Sequence, residues 1–319
     1  MKRRKFSNRH NKQSHGLSGL LKWQYQKFLR PIEKPSHEEP FKEAQDYINR
    51  VNSVTFVNHS TFILNINGTI ILTDPIWSEY CSPIQGFGPK RIQGPGIKLD
   101  SLPKVDIVLI SHNHYDHLDY ETLSKLKRLF DPHFCVPLGD GELLKKMGTQ
   151  KVTEFDWWQE EVKCGLPLTF LPAEHFSGRA LFDQNQSLWG SWAIRDADQF
   201  LYFAGDTGYS KHFSEIRNFL KDPISLSLLP IGAYLPRWFM KPVHMSPQDA
   251  CQAHLDLGSH KSIAMHFGTF LLADDRPDEV IEDFQKAKDY FQISEEEFSL
   301  PTGAKSFAWN RVHASGASQ

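Results

Sequence analysis

The chain has 319 residues, with 36 Lys plus Arg against 38 Asp plus Glu, 40% hydrophobic and 13% aromatic side chains. That composition can bury a sizeable core, and it excludes a disordered chain, a collagen-like repeat or a disulfide-stapled miniprotein. The length admits one large α/β domain or two smaller ones.

The net charge of −2 hides an uneven split. Residues 1–34 carry ten Lys and Arg and a single acid, Glu33, for about +9; the remaining 26 basic and 37 acidic residues give about −11. A basic tail on an acidic body suits an anionic surface. Residues 1–48 read as this tail. Within it, Leu17, Leu20, Leu21, Trp23, Tyr25, Phe28 and Leu29 alternate with Lys22 and Lys27. That pattern fits an interfacial helix, a helix packed on the body, or a plain solvated tail. No apolar run of signal-peptide length follows Met1, and no 18 consecutive residues are apolar. Cys81, Cys135, Cys164 and Cys251 lack CxxC spacing and read as reduced thiols. The expected location is cytoplasmic, peripherally on a membrane.

Residues 49–319 form the globular part. Asn67-Gly68 between the apolar runs 62–66 and 69–73 predicts a hairpin. The Pro- and Gly-rich stretch 75–103 reads as a long functional loop. Strands are expected at 105–110, 134–137, 166–171, 189–194, 199–204, 224–231 and 262–266. Helices are expected at 119–130, 139–147, 212–220, 247–257 and 277–290. Asp119 is placed to cap the first helix, and Ser246 with Pro247 to start the fourth. Strands and helices mixed in this order give a layered α/β domain.

Several of these strands run directly into His or Asp: into Asp74, His112, His175, Asp206 and His266. Residues at the carboxyl ends of strands share one edge of an α/β sheet. The segment 111–119 reads Ser-His-Asn-His-Tyr-Asp-His-Leu-Asp. His112 and His114 project together, while Asp116 and His117 aim at a neighbouring point, placing ligands for two cations side by side. Imidazole and carboxylate suit Zn²⁺, with Fe or Mn admissible.

These residues carry a resemblance. HxHxDH, a downstream His, Gly-Asp-Thr and a final His resemble the metallo-β-lactamase superfamily. Leu72-Thr-Asp-Pro, Gly88-Pro-Lys-Arg, the 111–120 segment, Trp189-Gly-Ser-Trp, Phe203-Ala-Gly-Asp-Thr-Gly-Tyr, Pro230-Ile-Gly-Ala-Tyr and Pro236-Arg-Trp-Phe-Met-Lys resemble the N-acylphosphatidylethanolamine phospholipase D family. The resemblance implies an αββα sandwich, two mixed sheets flanked by helices. It also implies two zinc ions, one held by His112, His114 and His175, the other by Asp116, His117 and His266, with Asp206 between. Asp74 and His59 would support the ligands. The implied reaction is attack of a metal-bridging hydroxide on a phospholipid diester, releasing N-acylethanolamine and phosphatidic acid.

Asp116 and His244 are the candidate catalytic residues, and Tyr234, Arg237, Trp238 and Lys241 the candidate substrate contacts. The expected partner is a membrane phospholipid, with residues 1–34 on an anionic surface; a homodimer is left open. The acidic body disfavours nucleic acid. Two alternatives stand beside this reading. One is another dinuclear-zinc hydrolase, a lactonase or a different phosphodiesterase. The other is a non-catalytic zinc-containing lipid-binding protein.

Overall fold

β-Branched and aromatic runs build two seven-stranded mixed sheets in the computed structural model, which describes residues 5–11, 16–29, 52–180, 182–301 and 306–309. After the helix α1 (Gly16–Leu29) comes an antiparallel meander of β1 (Ser53–Asn58), β2 (Thr61–Ile66) and β3 (Thr69–Thr73). β2 and β3 turn through Asn67 and Gly68, both at positive φ as a two-residue hairpin requires. β4 (Ile107–Leu109), β5 (His133–Pro137) and β6 (Val152–Phe155) then add in parallel. The helices α2 (Tyr120–Phe130) and α3 (Gly141–Lys145) make the crossovers.

The second sheet starts antiparallel with β7 (Glu160–Lys163), β8 (Leu166–Leu171), β9 (Ser191–Asp196) and β10 (Gln199–Phe203). It continues in parallel through β11 (Ile224–Pro230), β12 (Ser259–Met265) and β13 (Phe298–Ser299). Between these strands run α4 (His212–Leu220), the short α5 (Arg237–Met240), α6 (Pro247–Leu257) and α7 (Pro277–Phe291). The last strand, β14 (Ser306–Ala308), returns to the first sheet and pairs antiparallel with β1.

The main core joins residues of both sheets, including Phe56, Phe62, Phe155, Phe170, Trp192 and Phe203, to the inner faces of α4, α6 and α7. A second core lies between the first sheet and α2, through Leu123, Leu126, Val108 and Phe134. Together these are the four layers of an αββα sandwich, as expected. Trp192 crosses between the sheets and donates its indole N–H to the Ile110 carbonyl at 2.9 Å, next to the histidine-rich segment.

The hairpin, the five body helices and the seven predicted strands are present within a few residues. β1, β6, β7, β13, β14 and the short α5 have no counterpart among the expected elements. Ser246 caps α6 in a reciprocal box with Asp249, as Ser-Pro at a helix start implies. Asp119 precedes α2 but makes no side-chain bond to the helix backbone. Its carboxylate accepts instead from Ser78 and Thr122, so it ties the loop after β3 to the helix. That loop is pinned from within: Arg91 is buried, donates to the Ser78, Ile76 and Gln93 carbonyls, and lies over Phe270.

The N-terminal segment is not uniformly apart from the body. Trp23 of α1 is buried with Ala233, Met240 and Ala273, stacks on Phe239, and donates to Asp274 at 2.9 Å. α1 therefore packs on the body through Trp23 and leaves Leu21 and Tyr25 exposed. Residues 1–4, 12–15 and 30–48, the rest of the expected tail, lie outside the described residues. All four cysteines are free, with Cys164 exposed and the others buried. Among the described residues no helix is long and apolar enough to cross a membrane.

Candidate metal centre

Strand ends from both sheets converge at one site. Asp74 follows β3, His112 to His117 follow β4, His175 follows β8, Asp206 follows β10 and His266 follows β12. The chain leaves these strands sharply, with His59, Asp74, Gly205 and His266 all at positive φ. Such strain persists only where surroundings enforce it, and it collects at functional sites. At Gly205 (φ +59) a Cβ would also lie 2.4 Å from that of Ser111, so no side chain fits there.

Ligand-type atoms fall into adjoining groups, each within 4.8 Å. His112, His114 and His175 form one group. His114 Nδ1 lies 2.9 Å from His112 Nε2 and 3.2 Å from His175 Nε2. Asp116, His117 and His266 form the next, with His59 joining them. Asp206 stands between. Its Oδ2 is 3.0 Å from His266 Nε2, 3.2 Å from His117 Nε2, and 3.9 Å from both His175 Nε2 and His244 Nδ1. His59 Nε2 faces Asp116 Oδ2 at 3.1 Å, which lets it orient that carboxylate.

The ring nitrogens on the outer side are fixed by bonds that set the tautomers. Asp74 Oδ1 accepts from the Ser111 backbone N–H at 2.7 Å, and Oδ2 from the Ser111 hydroxyl and from His117 Nδ1 at 2.6 Å. Since the Ser111 proton goes to Asp74, its oxygen accepts from His112 Nδ1 at 2.9 Å. His175 Nδ1 donates to the Val243 carbonyl at 2.9 Å. In all three histidines the Nε2 atom is thereby left free to face the site, the arrangement metal-ligating histidines need. Burial pushes the Asp74 carboxyl up while His117 and Ser111 pull it down. The net direction is upward, and the three donors from Ser111 and His117 limit it.

Charge divides the groups. Burial, then the neighbouring imidazoles, pushes His112 well below the usual imidazole range and His114 to about 3. Burial likewise takes His175 to about 4. Burial opposes charge on His117 and His266 too, but Asp206 and Asp116 outweigh it, holding His117 well above its ordinary value and His266 at about 9. One side therefore offers three neutral nitrogens. The other pairs two carboxylates with two imidazoles that attract a positive charge, whether a proton or a metal.

The residues fit a metal. His117 Nε2 and His266 Nε2 are buried without a hydrogen-bond partner although both lie close to Asp206 Oδ2, and Asp206 Oδ1 is buried without one as well. Buried polar atoms left in this way are costly unless something is coordinated there. The donor set of nitrogen and carboxylate oxygen suits zinc, iron or manganese.

Of the four candidate substrate contacts, two are committed elsewhere. Tyr234 is buried and donates its hydroxyl to Asp283 at 2.7 Å, so it supports the fold rather than meeting substrate. Arg237 pairs with Asp249 at 2.6 Å and donates to the His244 carbonyl at 3.0 Å. It holds the His244 loop and is not a free cation. Trp238 is partly exposed beneath Lys22, 4.6 Å from its ring centroid, and Lys241 is exposed. Sequence reasoning left three supports without a role: Ser111, the Val243 carbonyl and Asn8, whose Oδ1 accepts from the His175 backbone N–H at 3.0 Å. Only Ser111 had a signal, its place at the head of the histidine motif.

Comparison with known proteins agrees with this geometry. The family described as β-lactamase superfamily domain matches residues 69–267. A Mycobacterium tuberculosis protein is 44% identical over 226 residues, 69% of this chain and 60% of its own. The Caenorhabditis elegans protein named N-acyl-phosphatidylethanolamine-hydrolyzing phospholipase D 1 is 38% identical over 228 residues, 68% of this chain and 64% of its own. The chain thus spans less than two thirds of the length of these curated relatives. Among solved structures, the metallo hydrolase Igni18 of Ignicoccus hospitalis shares the fold with a TM-score of 0.59 at 22% identity, over 80% of this chain and 97% of its own. A two-sheet sandwich with histidines and aspartates gathered at its strand ends, matched over most of its sheets by the superfamily domain, makes this chain a member of the metallo-β-lactamase superfamily.

Proposed function

We propose that the chain is a metal-dependent phospholipase D that hydrolyses N-acylphosphatidylethanolamines to N-acylethanolamine and phosphatidic acid. The observation that supports it best is the pair of adjoining ligand groups sharing Asp206. The relative named for this reaction, 38% identical, supports the substrate. His112, His114 and His175 would hold one metal, and Asp116, His117 and His266 the other, with Asp206 between them. A bound pair of zinc ions supplies Lewis acidity, lowering the pKa of water and neutralising charge on phosphate oxygens.

The chain's own residues supply the rest. His59 and Asp74 hold the Asp116 carboxylate and the His117 ring in place. His244 lies at the rim, its Nδ1 without a hydrogen-bond partner and its ring held neutral by burial. It therefore presents one hydrogen-bonding nitrogen where a leaving oxygen would depart, and Arg237 fixes its backbone. Asp116 and His244 keep side-chain exposures of 11% and 13%. Structural zinc sites are closed, so this opening favours catalysis over a metal kept for folding.

The membrane partner belongs to the same proposal. Leu21 and Tyr25 of α1 are 61% and 64% exposed, and Lys22 lies beside Trp238. Each Lys or Arg near an anionic leaflet contributes roughly 1 kcal/mol, so several would recruit the enzyme reversibly.

The test is to incubate the zinc-loaded chain with vesicles of N-acylphosphatidylethanolamine and phosphatidylcholine, following both products. Release of both is expected, and no turnover of this lipid by a zinc-loaded chain would overturn the substrate reading. Turnover of a lactone instead would favour the alternative hydrolase. In the same vesicles the double substitution L21E/Y25E should weaken co-sedimentation while metal content stays at the wild-type level. Unchanged sedimentation would remove α1 from the interface.

A further inference from the structure

Residues 6–11 lie far outside the superfamily match at 69–267, yet they are built into the candidate metal centre. Asn8 Oδ1 accepts two bonds, from the His175 backbone N–H and from the Trp189 indole N–H, both at 3.0 Å. The next residues grip the neighbour of that histidine. The buried Glu174 carboxylate accepts from the backbone N–H groups of His10 at 3.1 Å and Asn11 at 2.8 Å. Asn11 Nδ2 then donates to the carbonyls of Tyr209 at 3.3 Å and Pro242 at 3.1 Å. Pro242 adjoins Val243, whose carbonyl holds His175 Nδ1. The segment is further anchored by Phe6 N–H to the Asn185 carbonyl and by Arg9 to Glu215 at 2.9 Å.

His175 is consequently held at two points. Asn8 fixes its backbone, Val243 fixes its outer ring nitrogen, and Nε2 is left to face His114. The residue sits past the end of β8, where no ladder partner satisfies its N–H. A buried N–H of that kind needs an acceptor, and here a residue 167 positions away supplies it.

We propose that residues 6–11 form a strap that completes the metal centre from outside the superfamily domain, with Asn8 the positioning residue for His175. The inference rests on the two-metal reading of the site but not on its substrate. Loss of the Asn8 acceptor leaves the His175 N–H unpaired and frees its backbone to shift. Outer partners of metal ligands are worth about 10- to 100-fold in metal affinity. The loss should fall on the metal held by His112, His114 and His175, and spare the one held by Asp116, His117 and His266.

The test uses the full chain with Asn8→Ala, Asn8→Gln and Asn8→Asp. Zinc per chain is measured against graded chelator, and the visible spectrum is recorded after cobalt substitution. Asn8→Ala should release one of two metals at a chelator concentration about tenfold lower than wild type, with changed cobalt bands. Asn8→Asp, which keeps an acceptor at the same reach, should restore both readouts. Asn8→Gln keeps the amide but moves it by one methylene, and should lose the same metal even if the Ala chain does not fold.

A folded Ala or Gln chain that holds both metals as wild type does, with an unchanged cobalt spectrum, would overturn the strap. So would an equal loss of both metals that Asp fails to rescue, because that pattern marks a purely structural contact. A wild-type chain that takes up no metal at all would remove the two-metal reading, and the strap with it.

Discussion

An Asp206→Asn chain should retain fewer than two metals after zinc loading, and should lose more than about 100-fold in turnover, the upper value for outer partners of metal ligands. Asp206 Oδ2 lies in range of histidines from both groups, with His117 and His266 on one side and His175 on the other. The amide keeps the size of the side chain and removes its charge. Asp116 would then face three buried imidazoles, His59, His117 and His266, the last held at a pKa of about 9 largely by Asp206. Metal content and lipid hydrolysis measured on one preparation decide the matter. Full occupancy with full activity would mean that Asp206 does not join the two groups.

Asp74→Asn should act one layer further out and cost about 3–5 kcal/mol of stability, the loss seen when one partner of a buried charged pair is removed. The backbone at Asp74 has φ 33, and Asn tolerates that conformation as well as Asp does, so the loss would report chemistry rather than strain. Asp74 gathers donors from the Ser111 backbone, the Ser111 hydroxyl and His117 Nδ1. An amide offers one oxygen and turns an N–H toward the remaining donors. To avoid that clash, His117 must move its proton to Nε2, the nitrogen that faces the site. Denaturant unfolding in metal-free buffer measures the first effect, and metal content the second. A loss below about 1 kcal/mol, with both metals retained, would show that the chain from Asp74 through Ser111 to His112 gives no support.

The site was more legible in the sequence than its supports were. HxHxDH, the aspartate after Gly205 and the histidines after β8 and β12 could be placed because each follows an apolar run, and strand ends share an edge. The same logic located Asp74. Nothing comparable marks Asn8 or the Val243 carbonyl: one is a common residue in a basic stretch, the other a backbone atom. Both act across gaps that only the folded chain closes.

Tyr234 shows the converse. In sequence an aromatic residue that presents itself to substrate looks the same as one that packs, and only the bond to Asp283 settles which it is. Of the unforeseen strands, β6 and β7 have four residues each, and β13 and β14 two and three. Periodicity carries little information at that length. β1 escaped for a different reason: all six residues are buried, so it has no alternation to read.

Each half of the molecule holds the other half's end. The N-terminal strap docks on the loops after β8 and β10 in the second sheet, while β14 at the far end closes the edge of the first sheet beside β1. The two sheets look like separable units, but neither is finished until nearly the whole chain has been made. Contacts spanning such distances must be bought with loop-closure entropy, which slows folding. The same crossing joins the chemistry to the fold: a site whose ligands come from both sheets, and whose strap comes from the first residues described, exists only when assembly is complete.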